Sequence, residues 1–317
     1  MQVLVLGAGA MGCLYGAAWH RGGCDVALVD VTRPHVEEIN RRGLELETRR
    51  GTELLPIRAL LPADVTQPVD LVVVFTKTFH TAAALEGIRA AIGPATHLLS
   101  LQNGLGNDRA LAQFVPPERV IVGASTMPSD LVGPGKVRSH GEGGTKLYPA
   151  FDGDPEVARQ AAERLTAGGI SSTLDPQIGG TIWSKAIFNA VMNPLCALTL
   201  RTPGFLGAHE ESRALIREAV EEGVAAAWAS GVAVDAAAIH ALTQVSMTDH
   251  ANHEASMLQD VKAGRRTEVD SINGEIVRAA KAGGVAAPLL ETLWRLVKLE
   301  EAKLEEARLE RASSASG

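Results

Sequence analysis

The sequence predicts a doubly wound α/β domain at the N-terminus followed by an all-helical domain. Short apolar runs alternate with helix-like windows over the first half, the pattern of a sheet covered by helices on both faces. The first of those runs leads directly into a glycine-rich turn, and beyond about residue 175 alanine-rich helical windows follow one another. A chain of 317 residues exceeds one typical domain. The polar turn at Asp175 and Pro176 marks the expected boundary, giving domains 1–175 and 176–317.

Taken in order, Val3 to Leu6 reads as a strand and Met11 to His20 as a packed helix, repeated by Val26 to Val29 and a helix from Pro34 to Arg41. Leu71 to Phe75 is the strongest strand signal, because an unbroken and largely β-branched apolar run suits a central parallel strand. A helix over Thr81 to Ile92, a strand over His97 to Leu101, a helix over Asp108 to Phe114 and a strand over Val120 to Ala124 continue the alternation. Extended stretches are expected at Val137 to His140, Lys146 to Ala150 and Ser171 to Leu174. Helical windows then cover Ile182 to Leu200, Glu211 to Ser230, Asp235 to Leu242, Asn252 to Ala263, Val269 to Lys281 and Pro288 to Ala312, before a small, polar tail from Ser313 to Gly317.

Composition narrows the function classes. With 46% apolar and 21% charged residues the chain has material for a sizeable core and is not a disordered one. Thirty Lys and Arg against thirty-seven Asp and Glu, a formal charge of −7 and no basic block argue against nucleic acid as a partner. Cys13, Cys24 and Cys196 are isolated and odd in number, so they read as small buried residues in a reducing compartment. The opening apolar run ends too soon for a signal peptide, and no stretch approaches the roughly 20 apolar residues of a membrane span. A cytoplasmic location without membrane association is therefore expected. His250 and His253 lack the His-Glu-x-x-His arrangement, and no metal site is expected.

Gly7, Ala8, Gly9, Ala10, Met11 and Gly12 form GAGAMG, a GxGxxG pattern placed after a strand and at the opening of a helix. The first glycine permits the turn, the second lets a pyrophosphate approach the backbone, and the third lets the helix approach the sheet. Helix-start N–H groups without intrahelical partners, together with the helix dipole, favour an anionic dinucleotide there. Asp30, eighteen residues beyond Gly12, is placed to accept hydrogen bonds from the adenosine ribose and points to NAD(H). Arg33 and Lys77 offer instead a positive surround for the 2′-phosphate of NADP(H).

Asn103 follows the strand 97–101 at the carboxyl end, where ligands of open α/β sheets collect, although an Asn-Gly pair also suits a plain turn. Lys185, Asn189 and Asn193 recur every four residues and so share one helical face, with Lys185 the sole charge from Ile182 through Leu200. That isolation favours a cleft over a solvated face. Pro194 removes a backbone donor and can bend the helix near the same row. Ser256 falls within the 252–263 helical window. Glu268 opens the next one, where a first-turn dipole partner is the competing explanation. Ala-rich stretches such as Val224 to Trp228 suit either the interface of a homodimer or packing within one chain.

GAGAMG, Gln102-Asn103-Gly104, the Lys185/Asn189/Asn193 row, Ser256-Met257-Leu258-Gln259-Asp260 and Thr267-Glu268-Val269-Asp270 together resemble the ketopantoate reductase family, from residue 1 to about 300. The resemblance implies a Rossmann-type domain joined to a helical one, with the active site in the cleft they form. It implies reduction of 2-dehydropantoate, a small anionic 2-oxo acid, to pantoate with NADPH. It implies Lys185 as the catalytic lysine, Asn103, Asn189 and Asn193 as substrate-facing groups, Ser256 and Glu268 as polar partners, and Lys77 as a cofactor lysine. Glu268 would orient a substrate hydroxyl or Lys185 itself. One departure stands out: Val31 occupies the place of an arginine that would hold the 2′-phosphate, and Asp30 precedes it. Reduction of another branched 2-oxo or hydroxy acid, and a non-catalytic dinucleotide sensor, are the alternative functions.

Overall fold

Eight of the twelve strands of the first half gather into one sheet. In chain order the elements are β1 (Gln2–Leu6), α1 (Ala10–Arg21), β2 (Asp25–Val29), α2 (Arg33–Arg42), β3 (Leu44–Thr48), β4 (Gly51–Leu55), β5 (Arg58–Leu60), β6 (Leu71–Val74), α3 (Thr81–Gly87), β7 (His97–Ser100), α4 (Asn107–Leu111), β8 (Val120–Ser125), β9 (Asp130–Gly133), β10 (Lys136–Ser139), β11 (Gly144–Pro149), α5 (Glu156–Ala167) and β12 (Ser171–Leu174). The computed structural model describes residues 1–315. The sheet order is β12-β11-β8-β7-β6-β1-β2-β5. From β5 to β8 every pairing is parallel, and β11 joins antiparallel to β8 and parallel to β12. The strand order reverses at β1 and β6, so the crevice at their carboxyl ends is the place where such sheets take ligands.

The sequence signals explain the centre of this sheet. Leu71, Val72, Val73 and Val74 are completely buried, as an apolar strand covered on both faces requires. Tyr15 anchors α1 beside it: its ring packs 5.1 Å from Phe75 and its hydroxyl donates to Ser125 Oγ at 2.6 Å. A second sheet, β4-β3-β10-β9, is additional to the expected elements except for β10. In β3 the Leu-Glu-Leu-Glu alternation buries Leu44 and Leu46 and leaves the glutamates half-exposed, the period-two signal of a one-sided strand. Helix α5 is likewise additional, with Ala158, Ala161, Ala162 and Leu165 forming its buried stripe. Two helices are shorter than expected: α3 stops at Gly87 instead of Ile92, and α4 stops at Leu111 instead of Phe114.

The second half is helical: α6 (Ile178–Thr199), α7 (Pro203–Ala208), α8 (Glu210–Ala229), α9 (Ala236–Thr248), α10 (Ser256–Lys262), α11 (Asn273–Ala282) and α12 (Pro288–Ala315). The chain divides into two compact units, Met1–Gln102 with Asn107–Ile178, and Asn103–Gly106 with Gly179–Gly317. Each has its own core. Trp19, Tyr15 and the strand residues fill the first, while Ile187, Val191, Val220, Ile276 and Leu290 belong to the second. Of the Val224 to Trp228 stretch, Val224, Ala226 and Ala227 are buried in this second core and Trp228 is exposed.

Several boundaries differ from expectation: α6 begins at Ile178 and not at Ile182, and α9 runs to Thr248 and not to Leu242. Helix α10 begins at Ser256 and not at Asn252, and α11 begins at Asn273 and not at Val269. Glu268 therefore lies on a connecting segment and is not a first-turn residue of a helix. Helix α12 runs through Ala315, across the first part of the expected polar tail, whose last residues, Ser316 and Gly317, lie outside the described residues.

Candidate active site

The glycine turn is shaped by contacts that leave no room for side chains. Gly7 has φ of +99°, and a Cβ on it would stand 2.7 Å from Thr76 N. A Cβ on Gly12 would fall 1.9 Å from Gly7 O, so α1 reaches β1 only because this residue is bare. Gly9 is different: a Cβ there would meet nothing within 4 Å. Its backbone faces open space at the N-cap of α1, where the first N–H groups of a helix have no intrahelical partners. Thr76 Oγ1, beside Gly7, is buried with no hydrogen-bond partner among the described residues. These features fit a dinucleotide pyrophosphate laid against Gly9, Ala10 and Met11.

Asp30 ends β2 and is tied into the turn. Its Oδ2 accepts from Ala8 N at 3.0 Å and its Oδ1 from Thr32 N at 2.9 Å. Each oxygen retains a lone pair for a further donor. Val31 next to it is 81% exposed. Arg33 is exposed on α2, 3.8 Å from Glu37 one turn along. Lys77 is half-buried after β6, at the start of a short 3₁₀ turn. Below the turn, Cys13 donates from Sγ to Ala8 O at 3.1 Å, and His35, which accepts from Gly135 N at Nδ1, places Nε2 3.6 Å from that sulfur. Burial, and after it the charge of Asp30, pushes the Cys13 thiol far up, so it stays protonated and serves as a donor.

In the helical unit the Lys185, Asn189, Asn193 row lies along α6, with Lys185 half-buried and both asparagines buried. Burial lowers the Lys185 ammonium from its ordinary range to about 8, and the Glu268 carboxylate partly offsets that drop. Glu268 is itself buried, and its carbonyl accepts from Ser271 N and Ile272 N, which rolls the segment into a tight turn. Asn103 is half-buried on the Asn103–Gly106 loop, which belongs to this unit. There Leu105 N donates to Ser271 O at 2.9 Å, and Gly104, with φ of +83°, admits backbone against backbone, since a Cβ would sit 2.3 Å from Ser271 O. Lys185 and Glu268 are thus coupled through their charges, and the Asn103 loop packs on the Glu268 segment. Ser256 is exposed at the first position of α10.

Several contributors were not singled out by sequence. Gln102, known there only as part of the Gln-Asn-Gly run, donates from Nε2 to Thr76 O at 2.7 Å and Thr81 Oγ1 at 2.8 Å, locking the end of β7 to the end of β6. Its position at a strand's carboxyl end was the available signal. Outside the Glu268 segment, Glu301 Oε1 accepts from Thr267 N and Thr267 Oγ1. Asp270 accepts from Trp294 Nε1 at 2.9 Å and from Lys298 Nζ at 3.0 Å. Both clamps come from α12. Among the described residues no group of three or more His, Cys, Asp or Glu is arranged to hold a metal ion, and no helix is long and apolar enough to cross a membrane.

Residues 3–150 match the family model described as ketopantoate reductase PanE/ApbA, and residues 177–301 match that of its C-terminal part. A 2-dehydropantoate 2-reductase of Pyrococcus horikoshii is 34% identical, over 95% of this chain and 98% of that protein. One of Streptococcus pyogenes serotype M1 is 32% identical over the same shares. Among solved structures, a ternary structure of D-mandelate dehydrogenase with NADH and anilino(oxo)acetate superposes with a TM-score of 0.92, at 31% identity, covering 96% of this chain and 100% of that one.

Proposed function

Because the chain belongs to the ketopantoate reductase family of NAD(P)H-dependent oxidoreductases, we propose that it reduces the C2 ketone of 2-dehydropantoate to give pantoate, with Lys185 as proton donor. The observation that carries this reading is the α6 row, in which a half-buried lysine lowered to about 8 shares a helical face with two buried asparagines and feels the charge of Glu268. A donor whose proton affinity lies near the operating pH both gives up its proton and recovers it.

The turn Gly7, Ala8, Gly9, Ala10, Met11 and Gly12, with Asp30 and Lys77, holds the dinucleotide. When bound, its reduced nicotinamide supplies a hydride to the ketone carbon. Lys185 Nζ gives a proton to the carbonyl oxygen as the C=O electron pair moves onto it, so the oxygen remains on C2 as the product hydroxyl. Asn103 and Asn189 orient the reacting carbonyl, and Asn193 and Ser256 hydrogen-bond the acid's other polar groups. Glu268 keeps Lys185 charged in surroundings that would otherwise strip its proton.

For the cofactor, the geometry of Asp30 favours an unphosphorylated ribose. A carboxylate pinned by two backbone N–H groups beside the turn accepts from ribose hydroxyls and repels a 2′-phosphate. An exposed valine follows where a phosphate-binding arginine is expected, and Arg33 stands beside Glu37. NADH is the preferred cofactor in this reading. The D-mandelate dehydrogenase structure, a ternary complex with NADH and anilino(oxo)acetate, supports a second reading in which the substrate is an aryl-bearing 2-oxo acid.

A cofactor-oxidation assay separates these. The purified chain is given 2-dehydropantoate, phenylglyoxylate and simple branched 2-oxo acids, each with NADH and NADPH. The highest kcat/KM for 2-dehydropantoate with NADH supports the proposal, and a higher value for phenylglyoxylate supports the second reading. No oxidation with any pair sinks both and favours a dinucleotide-binding protein without catalysis.

A further inference from the structure

The segment 267–273 touches three parts of the candidate site at once. Glu268 acts through its charge on Lys185. Ser271 O takes the N–H of Leu105, two residues beyond Asn103. Asn273 donates from Nδ2 to Ala190 O, 2.8 Å away on α6.

That last contact has its origin in α6 itself. Pro194 has no N–H, so the carbonyl four residues earlier, that of Ala190, loses its helical donor. Ala190 is completely buried and directly follows Asn189, so its carbonyl is beyond the reach of bulk solvent. Asn273 is also completely buried, and its Oδ1 has no hydrogen-bond partner among the described residues. The side chain therefore serves through its donor half alone, and turning the amide over would set oxygen against oxygen. A buried amide that leaves its own acceptor unpaired while bonding a carbonyl 83 positions away marks a junction.

We propose that Asn273 is a positioning residue for the ketone reduction: by donating to the carbonyl that Pro194 leaves open, it keys the Glu268 segment onto α6 and fixes Glu268, Lys185 and Asn189 in register. This rests on the assignment of Lys185 and Asn189 to the reacting ketone made above. The pairing of an internal proline with a distant asparagine gives a test that separates positioning from simple satisfaction of a carbonyl. Pro194→Ala restores an N–H to α6, so Ala190 O is satisfied within the helix whether or not Asn273 is present.

The full chain and its Asn273→Ala, Pro194→Ala, Pro194→Ala/Asn273→Ala and Lys185→Ala variants are compared for kcat and KM with 2-dehydropantoate, dinucleotide Kd and Tm. Asn273→Ala is expected to lower kcat on the order of 100-fold, the scale of a misplaced reacting group, with KM changed less and dinucleotide Kd unchanged. Adding Pro194→Ala is expected to recover Tm while kcat stays low. Recovery of kcat together with Tm, or a lowered Tm with kcat intact, overturns the proposal. Should Asn273→Ala alone not fold, the double variant, which has no orphaned carbonyl, is compared with Pro194→Ala alone: equal kcat overturns the proposal and a large deficit upholds it. A fully active Lys185→Ala enzyme would instead remove the underlying assignment, whereas an inactive one beside an unaffected Asn273→Ala removes only the role of Asn273.

Discussion

The glycine turn of the sheet unit and the polar row of the helical unit are built on opposite principles. The turn is made of backbone, and its geometry exists because three side chains are missing: Gly7 and Gly12 leave no space for a Cβ, and Gly9 opens outward. The row is made of side chains carried by α6 and by the loops around Asn103 and Glu268, and its properties come from what surrounds each group. The first should be damaged by adding atoms and the second by removing them, so changes to the two should fail in different assays.

The largest expected effect is at Lys185. Lys185→Ala should lower kcat by about 10²–10⁴-fold, the range for losing a general acid, while dinucleotide affinity, measured by fluorescence titration, stays within error. The converse lies in the turn. Gly9→Ala should weaken dinucleotide binding about tenfold or more with Tm unchanged, since its Cβ meets only open space and costs a charge-assisted contact to phosphate. Gly12→Ala should also lower Tm, by an overpacking cost of about 1–3 kcal/mol. Equal Tm for the two alanine variants would contradict the crowding described at Gly12.

A smaller effect concerns cofactor choice. Replacing Asp30 with alanine and Val31 with arginine should move the NADPH to NADH ratio of kcat/KM upward by about 10- to 100-fold, the worth of one or two hydrogen bonds to a charged group. The smallest expected change is a shift in pH dependence. Lys185 must carry its proton to act as donor, so kcat/KM for reduction should fall as pH rises through about 8, and the reverse oxidation should rise over the same range. Burial lowers this group and Glu268 raises it, so Glu268→Gln should move both limbs to lower pH. A limb that moves upward, or stays fixed, would separate Glu268 from Lys185.

How much of this was legible follows from locality. GAGAMG is six consecutive residues between a strand and a helix, and Lys185, Asn189 and Asn193 follow one another at a single helical spacing, so both appear in the sequence. Glu268 was legible as a residue but not in its setting. Val269 and Ile272 are buried on a non-helical segment and imitate the start of the α11 stripe, which drew the expected helix four residues too far forward. That Pro194 frees the carbonyl of Ala190 is also readable, whereas the identity of its donor is not, because Asn273 arrives only through tertiary packing. Of the second sheet only β10 was legible, because β4 is mostly exposed and β3 is half polar, leaving little apolar signal to weigh against a loop.

In the proposed reduction, the clamps on Thr267 and Asp270 would give the last helix a bearing on chemistry. Glu301, Trp294 and Lys298 brace the turn that carries Glu268 from the far side. A deletion ending the chain before Glu301 would cut away the outer support of the turn that carries Glu268, so under the proposed mechanism trimming this terminus should lower turnover as well as length.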